Sequence, residues 1–173
     1  MHQAALIGLV DHRGWLLMQE RDENAPVDPE KWGLLGGGGE PHEAPLDAAV
    51  RELAEESVLT DHDLQLFGTH VLPCASGGKQ DHVSLFGAQT SATDADIRCG
   101  EGRQIVFVAP DAIQHLDLSH LARNLYPAVL AIRDVPSFAP TWRSSRALSG
   151  ASGTHRTPPL TFGEHSPMRD SDG

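Results

Sequence analysis

Four consecutive glycines, Gly36 to Gly39, lead into a stretch where Arg51, Glu52, Glu55 and Glu56 crowd one side of a helix-compatible segment. Glycines in succession favour a loop whose backbone can approach another group closely. Pro45 suits a first helical turn and opens a helix expected to run to about Ser57. At about 100° per residue, with Glu52 as zero, Glu56 falls near +40° and Glu55 near −60°. Leu46, Ala49, Val50, Leu53 and Ser57 then spread over roughly 60° to 160°, which predicts a core face with an acidic face beside it. Like charges three and four residues apart each cost a helix roughly 0.2–0.5 kcal/mol, so the arrangement invites a cation. Oxygen donors of this kind suit a hard divalent ion such as Mg²⁺.

The spacing adds to the clustering. Gly37, then Glu43, then Arg51-Glu52-Leu53-Ala54-Glu55-Glu56 resembles the Nudix box, G-x5-E-x7-R-E-U-x-E-E-x-G-U with U a bulky aliphatic. Every position matches up to Glu56, and Leu59 fills the final aliphatic slot. Val58 stands where that family usually has its last glycine, His42 where a glycine is common before Glu43, and Leu35 where a proline is common before the glycines. The resemblance implies an α/β/α sandwich around a mixed central sheet. It also implies Mg²⁺ or Mn²⁺ held mainly by Glu55 and Glu56, with Glu52 as a ligand or general base, Arg51 orienting Glu52, and the Gly36 carbonyl as an additional ligand. Gly37 and Gly38 would approach the substrate, and Glu43 would brace the loop. Glu40, in the same loop, is a weaker candidate. Outside the box, Glu101 lies where many members supply one more carboxylate, and Arg21 resembles an arginine that contacts substrate phosphate. A loop glutamate and a strand-end surface charge are the plainer alternatives for these two.

The rest of the chain bounds what such a site can serve. A chain of 173 residues, 39% of them hydrophobic, can bury one good core, and the expected division is a domain over 1–135 with a disordered tail over 136–173. That tail is rich in Pro, Ser, Thr, Gly and Arg and lacks periodicity. The net charge of −11, from 13 Lys and Arg against 24 Asp and Glu, disfavours a nucleic-acid polymer as partner. No apolar run approaches the roughly 20 residues of a membrane span, and the N-terminal residues lack a basic start, so a cytoplasmic protein with no membrane partner is expected. Cys74 and Cys99 read as free thiols, and the scattered histidines carry no zinc-site spacing.

Apolar runs predict strands over Ala4 to Val10 and Trp15 to Gln19, joined by a turn at Asp11 to Gly14. A short strand over Trp32 to Leu35 feeds the glycines. Leu64 to Cys74 and His82 to Gln89 read as a strand pair about Ser76 to Lys79, with Phe67 and Val71 in the core. Thr90 to Gly102 reads as loop, Gln104 to Val108 as strand, and Asp111 to His115 as a short helix. Ser119 caps a last helix from His120 to about Arg133, which Pro127 is expected to kink or break early. Trp32 is expected in the core, with stacking on a nucleobase as its alternative role.

The reading these features support is metal-dependent hydrolysis of the pyrophosphate bond in a nucleoside diphosphate linked to another group. The resemblance implies a small nucleotide as substrate: a (d)NTP, an oxidised dNTP, ADP-ribose or an NDP-sugar. It also allows a homodimer. A regulatory domain that binds such a ligand without turning it over is the alternative, with Val58 as its best support. A Ca²⁺-binding or purely structural acidic helix is disfavoured, since no D-x-D-x-D-G loop accompanies the carboxylates.

Overall fold

The computed structural model describes residues 2–60, 63–74, 77 and 79–132. The expected tail 136–173, Arg133 and part of the turn at Ser76 to Lys79 lie outside them. Seven strands are described: β1 (His2–Val10), β2 (Leu16–Glu20), β3 (Trp32–Gly33), β4 (Leu35–Gly38), β5 (Gln65–Pro73), β6 (Gln80–Gln89) and β7 (Gln104–Val108). Three helices accompany them: α1 (Pro45–Ser57), α2 (Pro110–Ile113) and α3 (His120–Ile132). They form one sheet, in the order β3-β2-β1-β6-β5, with β4 also on β1 and β7 also on β2. β1 and β6 run parallel, and every other pairing is antiparallel, so the sheet is mixed.

Every residue from Ala4 to Val10 is buried, as expected of a central strand covered on both faces. Its alternate side chains enter different cores. Ala4, Leu6 and Val10 pack with Ala122, Leu125, Val129 and Ile132 of α3. Ala5, Ile7 and Leu9 pack with Ala48, Ala49 and Leu53 of α1. The architecture is therefore an α/β/α sandwich. Where β1 leaves β2, at Val10 opposite Leu16, the same edge of β1 takes up β4 through Ala4 to Ile7. This split admits the glycine segment to the middle of the sheet, under α1.

Several local expectations are corrected. Trp32 to Leu35 is not one strand, because Trp32 and Gly33 pair with β2 while Leu35 to Gly38 pair with β1. Three of the four glycines are thus strand residues held by β1, rather than loop. On α1, Leu46 and Val50 are exposed, while Ala48, Ala49, Leu53, Glu56 and Ser57 are buried. The inward arc spans roughly −40° to +140° and includes Glu56, because two alanines let the helix settle with that flank against the sheet. Val71 is 54% exposed. β5 is the edge strand and none of its residues is fully buried, whereas Phe67 does pack partly against the α3-side core. α3 continues through Pro127, which lies on the exposed face, so the Arg123 carbonyl left without its helical donor is open to water. α2 spans only Pro110–Ile113, and Asp94–Asp96 form a 3-10 turn within the expected loop. Trp32 is half-buried and packs against the α3-side core. Among the described residues no helix is long and apolar enough to cross a membrane.

Candidate active site

β4 brings backbone, not side chains, against the carboxylates of α1. Gly36 has φ of +113°, and a Cβ there would overlap the Ala5 carbonyl. At Gly37 a Cβ would stand 2.8 Å from Glu52 Oε1, so a side chain there would push the Glu52 carboxylate from its place. The Gly36 N–H donates to Glu56 Oε2 at 2.8 Å. The three α1 carboxylates therefore reach their places by different routes.

Glu52 and Glu55 are gathered by Arg51, whose Nη1 donates to Glu52 Oε1 at 2.9 Å and to Glu55 Oε2 at 3.1 Å. The same guanidinium bonds both oxygens of Glu43, at 2.9 and 3.0 Å, and the Gly38 carbonyl at 3.3 Å. Glu43 also accepts the Glu40 N–H at 2.9 Å. The bonds from Arg51 and Glu40 hold the Glu43 carboxyl below its ordinary range. Glu40 thus enters the cluster through its backbone. Arg51 leaves Glu52 Oε2 and Glu55 Oε1 without a hydrogen bond among the described residues.

Glu56 is only 4% exposed. Its Oε1 accepts the Gln19 side-chain amide at 3.3 Å. Burial pushes its pKa up to about 7, the Gly36 N–H opposes that, and the charges of Glu52 and Glu101 add to it. Arg21 acts in the opposite direction. Glu101 and Arg21, distant in sequence, are therefore both within electrostatic reach of Glu56.

Glu101 reaches that position through the end of α1. Gly100 N–H donates to the Glu56 carbonyl at 2.7 Å and Arg98 N–H to the Ser57 carbonyl at 3.2 Å, satisfying carbonyls that a helix terminus leaves open. Gln19 donates to the Glu101 carbonyl at 3.0 Å while it holds Glu56. Sequence reasoning passed over Gln19, which is 1% exposed and follows three apolar residues in β2. A buried glutamine must find partners, and its alternation with Leu17 points it toward α1.

The two box positions that lack a glycine keep a glycine's backbone. Val58 has φ of 58° and His42 of 70°. Val58 caps α1 with its N–H on the Ala54 carbonyl, and Leu59 is buried beyond it, so the valine has not displaced the following turn.

The donor set suits a hard divalent cation: it is all oxygen, two carboxylate oxygens are free, and the buried Glu56 is burdened by like charge. Among the described residues no three His, Cys, Asp or Glu side chains converge closely enough to enclose an ion as they stand.

On the α3 side of the sheet a cleft of about 430 Å³ opens beside Gly36 to Gly38, with Arg21 on its wall. Its apolar floor includes Ala4, Leu6 and Leu34, and its rim carries Asp28 and His120. Burial resists ionisation of Asp28, but the His120 N–H at 2.7 Å and Lys31 at 3.3 Å outweigh it and hold the carboxyl below its usual range.

The sequence model of the NUDIX domain matches residues 1–129. No curated protein matches the chain. Among solved structures, the MutT protein from Methanosarcina mazei Go1 is similar at 20% identity with a TM-score of 0.62, covering 77% of this chain and 92% of that one. The MutT NUDIX hydrolase from Burkholderia pseudomallei is similar at 22% identity and a TM-score of 0.59, covering 74% and 95%. The NUDIX domain of Shewanella oneidensis NrtR, solved in complex with ADP ribose, is similar at 17% identity and a TM-score of 0.63, covering 74% and 85%. These are likenesses of fold.

Proposed function

This chain belongs to the Nudix family of pyrophosphohydrolases, and on that premise we propose that it cleaves the pyrophosphate bond of a small nucleoside diphosphate derivative, releasing a nucleoside monophosphate. The observation that carries this reading is the convergence of Glu52 and Glu56 beneath α1 on Gly36 and Gly37, which also line the cleft on the α3 side. Glu52, Glu55 and Glu56 would hold a divalent cation, Mg²⁺ or Mn²⁺, with the Gly36 carbonyl as a further oxygen. Bound there, the cation supplies the positive charge that lets an anionic substrate approach three carboxylates.

The protein's own groups do the rest. Arg51 holds Glu52 toward Gly37, and Glu52 or Glu101 takes the proton from the attacking water. Arg21 contacts the substrate phosphates from the cleft wall, and the side-chain-free edge of Gly37 and Gly38 lets them come close. Gln19 and the Gly36 N–H keep Glu56 from rotating away. The α3-side cleft takes the nucleoside. Candidate substrates are a (d)NTP, an oxidised dNTP, ADP-ribose and NDP-sugars, and the ADP ribose held by the Shewanella neighbour favours including that class.

The test is a panel of these compounds with Mg²⁺ or Mn²⁺, the products identified by mass. Release of a nucleoside monophosphate, falling at least about a hundredfold in Glu56→Gln, is the expected result. Ligand binding with no turnover under either metal would replace the reading with that of a regulatory domain.

A further inference from the structure

Between β2 and β3 the chain makes a loop, residues 22–30, whose neck is closed where the Arg21 N–H donates to the Lys31 carbonyl at 2.9 Å. Two of its residues, Asp28 and Glu30, have positive φ, 50° and 61°. Neither is glycine, so the loop stands in a conformation that its surroundings must hold. Both strained residues are tethered. Asp28 accepts from the His120 N–H and from Lys31. Glu30 accepts from Arg103 Nη2 at 2.8 Å, and the same nitrogen donates to Glu23 at 3.3 Å, so one guanidinium grips the loop near its start and its end.

Arg103 acts from a fixed base. Its N–H donates to the Glu20 carbonyl at 2.8 Å, and Gly102 before it lies so near that carbonyl that a Cβ would stand 2.6 Å away. Gln19 anchors the Glu101 carbonyl just upstream. Arg103 therefore ties the segment that carries Glu101 to the loop that walls the cleft with Val27 and Asp28. The consequence for the site is at Arg21, whose Nε donates to the Val27 carbonyl at 3.0 Å, so that the plane of its guanidinium follows the loop. An arginine binds phosphate through a planar fork, and the orientation of that plane decides whether two N–H groups reach one phosphate.

We infer that Arg103 is a positioning residue: through Glu30 and Glu23 it fixes the loop, and through the Val27 carbonyl the loop aims Arg21 at the substrate phosphates. This rests on the proposed reading of Arg21 as a phosphate contact, but its test does not require turnover. The probe is α,β-methylene-ADP with Mg²⁺, a diphosphate that cannot be cleaved between its phosphorus atoms, and its affinity is measured by calorimetry. Arg103→Ala should weaken binding roughly three- to tenfold, yet change it by less than about twofold once Arg21 is already alanine. Glu30→Ala supplies the sign: removing a negative charge tightens an anion if only the field matters, whereas loss of the brace weakens it, by about threefold. Thermal melts of both variants should stay close to the wild type, since exposed ion pairs contribute little to stability. Unchanged affinity in Arg103→Ala, losses that add to those of Arg21→Ala, or tighter binding in Glu30→Ala would each overturn the inference and leave the proposed reaction standing. No binding by the wild-type chain, or unchanged affinity in Arg21→Ala, overturns it together with the phosphate contact it serves. The expected pattern without hydrolysis of any nucleotide in the panel keeps the inference and removes the proposed reaction.

Discussion

Two flanks of α1 hold carboxylates in opposite ways. On one, Arg51 gathers Glu52 and Glu55 of the helix with Glu43 before it, Glu55 being 62% exposed and Glu43 and Glu52 15%. On the other, Glu56 is sealed against Gln19 and Gly36 and has no arginine bonded to it. In the first arrangement Glu55 is screened by water and can be adjusted at little cost. The second is rigid and energetically unfavourable in isolation, because burial and like charge raise the Glu56 pKa to about 7. Adjustable carboxylates beside one fixed carboxylate would suit the proposed site, which must admit both a cation and a substrate, and the fixed one is where stability is sacrificed.

The sharpest way to break this contrast is to titrate stability. Glu56 has a folded pKa raised from 4.5 to about 7, so the folded state binds the extra proton between those values. Its contribution is intact below about pH 4.5 and is lost as pH rises through 7, at a total cost of about 3 kcal/mol. In chelator, the chain should lose stability from pH 5 to pH 8, and Glu56→Gln should flatten that slope. The neutral amide can still accept from Gly36, while turning the Gln19 amide to match it takes Nε2 from the Glu101 carbonyl, a cost that does not vary with pH. Adding Mg²⁺ at pH 8 should restore stability to the wild-type chain and not to the variant. Denaturant melts across pH check this, and a wild-type slope like that of the variant would show that Glu56 is not burdened.

Arg51→Ala tests the other flank, with a smaller expected effect. Its ion pairs share one guanidinium and the one with Glu55 is exposed, so stability should fall by about 1 kcal/mol. Activity should fall about 10–100-fold, because Glu52 and Glu55 lose the group that aims them. Arg51→Lys should not rescue it, since one ammonium cannot span both oxygens of Glu43 and reach Glu52 as well. Parallel losses of stability and activity would mean that the brace is structural, and the distinction between the two flanks would disappear.

Much of this was legible in the sequence where one local rule decides the outcome. Pro45 to Ser57 is a helix with the expected ends, and Gln104 to Val108 is the expected strand, because periodicity and punctuation agree there. Partnership was less legible. Gly36 to Gly38 look like loop residues, and only the vacant edge of β1, where it leaves β2, makes them a strand. Leu46 and Val50 belong to the apolar side of the wheel, but two alanines set which flank meets the sheet. Gln19 is a buried polar residue at the end of an apolar run. Its role depends on α1 and on residues 97–102, neither of which spacing along the chain encodes.

The smallest effect concerns the glycine that the box lacks. Val58 adopts φ of 58°, a conformation that a β-branched residue enters at a cost of roughly 1–2 kcal/mol. It is 48% exposed, so its side chain returns only part of that through burial. Val58→Gly removes the strain but adds roughly 0.5–1 kcal/mol of unfolded-state freedom, leaving a net gain of about 0.5–1 kcal/mol and about 1–4 °C in Tm. Val58→Asn separates the two terms, since asparagine tolerates the left-handed region without glycine's extra freedom, and it should stabilise comparably. Val58→Ala should not, because it retains the Cβ. The Gly100 N–H already holds the Glu56 carbonyl in place, so turnover should change little in either stabilised variant. A large gain in turnover would mean that the strained turn limits Glu56 after all, and that this end of the helix is less rigid than its hydrogen bonds imply.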